Sequence, residues 1–270
     1  MIIDTHTHID IYQGEIISPE KRLENLKRDM KEAGVNKAII LTDIEAKSKV
    51  LKEEEISSLI EKEKDIFLAG TIKVTNYTQK DLDKLDRLLR EKKIIAIKLY
   101  PGYEEFYPYE KKCDKIYNLC EKYNIPAIFH LGDTLENKKP IKYAHPIYVD
   151  EVAVKRPNMK IVMAHCGNPW IEDTMLIISR HPNVYADISG LFFGPAKQPL
   201  TKYLAEKIKM IVAWCGNADK LLFGTDWPCN EQLKQMKSMN ENIKFVKSLK
   251  LSKEDEEKIF YKNAEKVFRI

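Results

Sequence analysis

The chain opens with IIDTHTH over residues 2–8 and continues IDIY over residues 9–12. A strand alternates its side chains, so Asp4, His6 and His8 are expected on one face and Ile3, Thr5 and Thr7 on the other. Two imidazoles on one strand face form a chelate if further ligands meet them. Whether they do depends on where the other strands of the chain end.

Seven further runs read as strands: KAIILTD (37–43), IFLAGTI (66–72), IIAIKLY (94–100), PAIFHLG (126–132), KIVMAHC (160–166), NVYADIS (183–189) and KLLFGTD (220–226). They are rich in Ile, Val, Leu and Ala, the pattern of strands covered on both faces in a parallel sheet. Helical patterns separate them. Ser18-Pro19 opens the first helix and Gly34 closes it, while Thr78 with Asp81 three residues on opens the third. Cys113, Ile116, Tyr117 and Cys120 recur at helical spacing, which assigns both cysteines to the core. Eight βα units in 270 residues, with no linker, predict the α/β class and a single (β/α)8 TIM-type barrel over residues 1–270.

Composition narrows the partners. The formal charge is +4, but lysines alternate with acids, as in KRLENLKRDMKEAG, and no basic patch for nucleic acid is visible. Every apolar run is broken by charge too soon to cross a bilayer. Met1 passes directly into a polar strand, so no secretory leader is expected. Five cysteines without CxxC spacing argue against a disulfide framework or a thiolate zinc site. The chain reads as a cytoplasmic protein acting on a small molecule, with neither a nucleic-acid nor a membrane partner.

Connections into strands are short and several leaving them are long: PGYEEFYPY (101–109), residues 132–148 and LFFGPAKQP (191–199). In a barrel of this type those loops and the strand ends build the catalytic face. The strand ends carry His6 and His8, Lys98, His130, His165 and Asp226. Imidazole and carboxylate are ligands of divalent first-row metals. His6, His8, His130 and Asp226 would supply them, with His165 beside the metal.

With DTHTHID, IKLYP, IFHLGD, HPIYVDEVAVKRPNMKIVMAHCGNPW, NVYADISG, LLFGTDWP and NAEKVF in that order, the chain resembles the amidohydrolase-related (amidohydrolase 2) family of metal-dependent barrel enzymes. The resemblance implies metal ligands at His6, His8, His130 and Asp226 and a catalytic His165. It implies one divalent ion, zinc first, with Mn²⁺, Fe²⁺ or Co²⁺ as ions the same ligands accept. Metal-activated water would attack an amide, ester or lactone carbonyl of a small substrate that can carry a carboxylate. Asp226 would act as general base, and His165 would hydrogen-bond the carbonyl oxygen or the developing oxyanion. The family also contains decarboxylases of aromatic or unsaturated acids, and its dimers make a homodimer an expectation.

Lys98 has three readings: a partner of a substrate carboxylate, a carboxylated lysine bridging two metals, or a paired barrel lysine. Tyr100, Tyr103, Phe106, Tyr107 and Trp170 on catalytic-face loops could line a pocket, with Lys98, Tyr100 and Trp170 taken as substrate-binding. His145 is a substrate contact or a loop cap, His181 is structural, and Asn263 ties the last helix to the barrel. A TatD-type nuclease is the rival enzyme, but Lys98 and Gly224 stand where that family has a ligand Glu and an ETD motif. A barrel keeping its metal only as structure is the rival without catalysis.

Overall fold

The structure is a computed structural model that describes residues 1–44, 50–135, 138–192, 198–229 and 238–270. Parts of two loops named above, residues 136–137 and 193–197, lie outside the described residues. All eight expected strands form: β1 (Ile3–Thr7), β2 (Lys37–Leu41), β3 (Ile66–Thr71), β4 (Ala96–Leu99), β5 (Ala127–Phe129), β6 (Ile161–Met163), β7 (Val184–Asp187) and β8 (Leu221–Leu222). They pair in parallel in sequence order. Hydrogen bonds from Thr5 N to Phe223 O and from Asp226 N to His6 O, with a parallel bridge between Thr7 and Trp227, close the sheet into a barrel.

The helices α1 (Pro19–Ala33), α2 (Glu53–Leu59), α3 (Gln79–Arg90), α4 (Asp114–Tyr123), α5 (Tyr148–Lys155), α6 (Ile171–Arg180) and α7 (Gln198–Cys215) follow strands β1 to β7 in turn. Their signals are those of the sequence. Ser18 accepts from Lys21 N at the start of α1, and Gly34 ends it at φ 72°. Thr78 and Asp81 form a reciprocal capping box on α3. Cys113, Ile116, Tyr117 and Cys120 are buried between α4 and the sheet. No helix among the described residues is long and apolar enough to cross a membrane.

A second apolar cluster fills the barrel: Ile3, Leu41, Ala96, Ile128, Val162 and Leu222 meet Val267 and Phe268 from the terminal helix, Asn263–Phe268. Asn263 fastens that helix, donating to Ala218 O at 2.7 Å and Leu221 O at 2.8 Å. Asn263→Ala leaves both carbonyls without this donor and should cost about 1–3 kcal/mol. For a chain of this size that lowers Tm by about 2–10 °C. Thermal melts check it, and an unchanged Tm would show that the tie carries no stability.

Strict alternation in β1 is interrupted. Asp4 pairs with Ala38 and Thr7 with Ile40, so β1 spends one residue more than β2 between them. Such a bulge re-aims side chains. Ile3 therefore belongs to the barrel interior, and the bulge turns His6 and His8 toward the same interior beyond it. Asp4 accepts instead from His6 N, Thr225 N and Thr225 Oγ1, locking β1 to the end of β8. Burial pushes its carboxyl up to about 7, against those hydrogen bonds.

Candidate metal centre

The strands are shorter than their apolar runs because the ladder stops where the site begins. His130, His165 and Asp226 all lie past the last paired residue of β5, β6 and β8. His165 and Asp226 take left-handed backbone, with φ 58° and 60°. For residues with a Cβ this costs on the order of 1–2 kcal/mol each and persists where surroundings enforce it. Here His165 N donates to Asp187 Oδ1 at 3.0 Å and Asp226 N to His6 O at 2.9 Å. Gly224 permits the close approach, since a Cβ there would lie 2.8 Å from that of His6 and 3.0 Å from that of Ser189.

Hydrogen bonds decide which ring nitrogens face one another. His8 Nδ1 donates to Leu41 O at 3.0 Å, and a carbonyl can only accept, so a neutral His8 carries its lone pair on Nε2. His6 Nδ1 donates to Asp187 Oδ2 at 2.9 Å, which likewise leaves Nε2. These two Nε2 atoms lie 3.6 Å and 3.7 Å from Asp226 Oδ1. Imidazoles oriented by a carboxylate or a carbonyl, with two lone pairs converging on one carboxylate, are the donor set a divalent cation takes. The three residues fit the metal that the sequence implies. Burial holds the His6 ring down at about 3, helped by the Lys98 charge, and the His8 ring down at about 4. Both are neutral at pH 7, as ligation requires.

His130 stands apart from this group. Its Nε2 donates to Asp133 O at 3.0 Å, leaving the lone pair on Nδ1, and its ring lies 5.0 Å from that of His165. Two groups of possible ligand atoms converge among the described residues, His6 with His8 and Asp226, and His6 with His165 and Asp187, and His130 is in neither. Lys98 is fully buried inside the barrel, its ammonium 5.4 Å from the Tyr100 ring and without a hydrogen bond among the described residues. Burial lowers its pKa to about 8, opposed by the Asp187 and Asp226 charges. Tyr100 packs against His130 and donates its hydroxyl to Thr42 O at 2.7 Å. Tyr103 lies edge-on to His130, whereas Phe106 is core. The Trp170 ring lies 4.5 Å from that of His145, tilted by 40°, and His145 accepts from Ile147 N as a loop cap does. His181 pairs with Asp150.

Sequence reasoning passed over Asp187 and Ser189. The signal was present: NVYADIS ends in a carboxylate and a hydroxyl at strand-end positions. Asp187 Oδ1 accepts from Ser189 N and Ser189 Oγ as well as from His165 N. Burial alone would raise its pKa, but the His6 imidazole and its hydrogen bond, the nearby His165 ring and the Lys98 charge hold it well below the usual carboxylate range.

Known proteins repeat this arrangement of fold. A segment of 84 residues is 29% identical to an L-fucono-1,5-lactonase of Burkholderia ambifaria, covering 28% of this chain and 29% of that protein. The structure is similar to a probable 2-pyrone-4,6-dicarboxylic acid hydrolase of Acinetobacter baumannii, with TM-score 0.72 and 16% identity over 100% of this chain and 99% of that one. It is also similar to a 5-carboxyvanillate decarboxylase of Sphingomonas paucimobilis, with TM-score 0.67 and 11% identity over 100% and 99%. At these identities the likeness shows the barrel. The Amidohydrolase family model, however, matches residues 3–270, and the chain belongs to that family.

Proposed function

We propose that the protein is a metal-dependent hydrolase that opens an ester, lactone or amide bond of a small, carboxylated substrate. The convergence of His6 Nε2, His8 Nε2 and Asp226 Oδ1 beside His165 carries this reading. A divalent ion held there, zinc being our first choice, would polarise the carbonyl and acidify water. Asp226 and His165 are the acid–base groups of the proposal. Gly190 lets them approach: a Cβ there would meet His165 Nδ1 at 3.1 Å and Asp226 Oδ2 at 3.6 Å. Lys98 supplies a buried positive charge that favours an anionic substrate. The partial match to a lactonase supports placing lactones first among substrates. A reducing cytoplasm suits the five free cysteines.

The test pairs elemental analysis with a substrate screen. One equivalent of metal is expected, with turnover of a lactone, ester or amide. His165→Ala should keep the metal and lose about 10²-fold in turnover. Release of CO₂ from aromatic or unsaturated acids without hydrolysis would reassign the reaction to decarboxylation. Robust cleavage of phosphodiesters would favour a nuclease, and two equivalents would bring forward a carboxylated Lys98. Metal without any turnover would leave a structural site.

A further inference from the structure

His165 and the metal-ligand candidate His6 are joined to a single carboxylate by one hydroxyl. Ser189 Oγ lies 2.9 Å from His165 Nδ1, 3.0 Å from His6 Nδ1 and 2.5 Å from Asp187 Oδ1. Asp187 is buried and its Oδ1 already accepts from His165 N and Ser189 N, so the Ser189 hydrogen points at that accepting oxygen and the Ser189 oxygen is left to accept. His165 Nδ1 also lies 3.1 Å from Ser189 O, a carbonyl that can only accept. Both contacts demand a proton on His165 Nδ1. The neutral ring then has its lone pair on Nε2, which makes no hydrogen bond among the described residues.

We infer that Ser189 is a positioning residue: its hydroxyl links His165 to Asp187 and fixes the tautomer in which His165 Nε2 is a proton acceptor. The inference rests on the reading that His165 handles a proton in hydrolysis. In that step the O–H bond of the attacking water breaks and Nε2–H forms, while the oxygen keeps the electron pair and bonds the carbonyl carbon. The imidazolium so made is stabilised through Ser189 by the Asp187 charge. Its Nε2–H then passes to the departing oxygen or nitrogen as the acyl bond breaks, and the ring returns to its first state. Donation to an oxyanion, the role expected from the sequence, becomes available to His165 only after it has taken the proton.

The arrangement also explains why two rings share one serine. Asp187 Oδ2 receives the His6 Nδ1 proton and Oδ1 the Ser189 hydroxyl, so one carboxylate orients both the metal-ligand candidate and the proton carrier.

The first readout needs no substrate: nitrogen NMR of ¹⁵N-histidine-labelled, metal-free protein, with His165 assigned by its absence from His165→Gln. A neutral His165 protonated at Nδ1 is expected, and protonation at Nε2 would overturn the inference even if hydrolysis is confirmed. The second compares Ser189→Ala with Ser189→Thr. Alanine should keep one metal equivalent and KM within about twofold while lowering kcat about 10–100-fold, and threonine should restore kcat to within about threefold. Loss of metal, a change confined to KM, or failure of threonine to rescue would show Ser189 to be merely structural. Should the screen find no hydrolysis, the hydrolase reading fails on its own, because the tautomer is read independently of turnover.

Discussion

Alanine at His6 is expected to abolish metal retention and metal-dependent turnover, and to lower Tm more than alanine at His8 does. Both substitutions delete a converging Nε2, so each should weaken metal binding beyond the about 10–100-fold typical of losing an orienting partner. Their structural consequences differ because the Nδ1 partners differ. His8 Nδ1 bonds the Leu41 carbonyl, a neutral acceptor whose loss costs about 1–3 kcal/mol. His6 Nδ1 bonds the carboxylate of Asp187, which is 1% exposed and keeps its remaining partners on the other oxygen. Removing a partner from a buried charge costs about 3–5 kcal/mol. At about 2–4 °C per kcal/mol, the gap between the variants is several degrees, with a folded barrel in both. Elemental analysis and melts of chelated protein check this. Full metal content in either variant would remove that residue from the ligand set, and equal melting would mean that Asp187 does not depend on His6.

The barrel was legible because its signals are local. Eight apolar runs at βα spacing fixed the strand number and order, and caps such as Ser18 and Thr78 fixed helix starts. Strand ends were less legible. Hydrophobicity continues through Leu131 and Phe223, but pairing stops at Phe129 and Leu222, just before His130 and Asp226, and His165 and Asp226 take left-handed backbone there. Period-two reading placed His6 and His8 together correctly, yet misassigned Asp4 and Ile3, since a one-residue bulge leaves no compositional trace in DTHTH. The site itself split along the same line. Histidines at strand ends advertise their chemistry, whereas Asp187 and Ser189 look ordinary and matter through what they touch. Tyr100 and Trp170 carry contacts that loop position does not reveal, the Tyr100 hydroxyl to Thr42 O and the Trp170 ring to His145.

Lys98→Met should stabilise the metal-free protein near neutral pH, and the gain should fade as the solution becomes alkaline. The Lys98 ammonium is buried without a hydrogen bond among the described residues, and its pKa falls from 10.5 to about 8 on folding. Between those values the unfolded chain holds more protons than the folded one, so the lysine's contribution to stability rises with pH across that window. The total is on the order of 3 kcal/mol. Methionine fills similar volume without charge and lacks this dependence. Other groups titrate in the same range: Lys220 is lowered to about 8, while burial raises Cys113 and Cys120 to about 12 and Tyr100 well above its ordinary value. Those contributions are common to both proteins, so the difference between wild type and variant isolates Lys98. Urea unfolding of chelated protein at about pH 7 and pH 10 should show the variant's advantage shrinking by that amount. A flat difference would mean that Lys98 is not a free ammonium, as in a carboxylated bridge. If Lys98 also meets the substrate's carboxylate, the same variant should lose about 10–100-fold in kcat/KM toward carboxylated substrates, the worth of one hydrogen bond to a charged group. It should lose far less toward their neutral esters, and equal losses would place the lysine's role in holding the site's charge balance rather than in binding substrate.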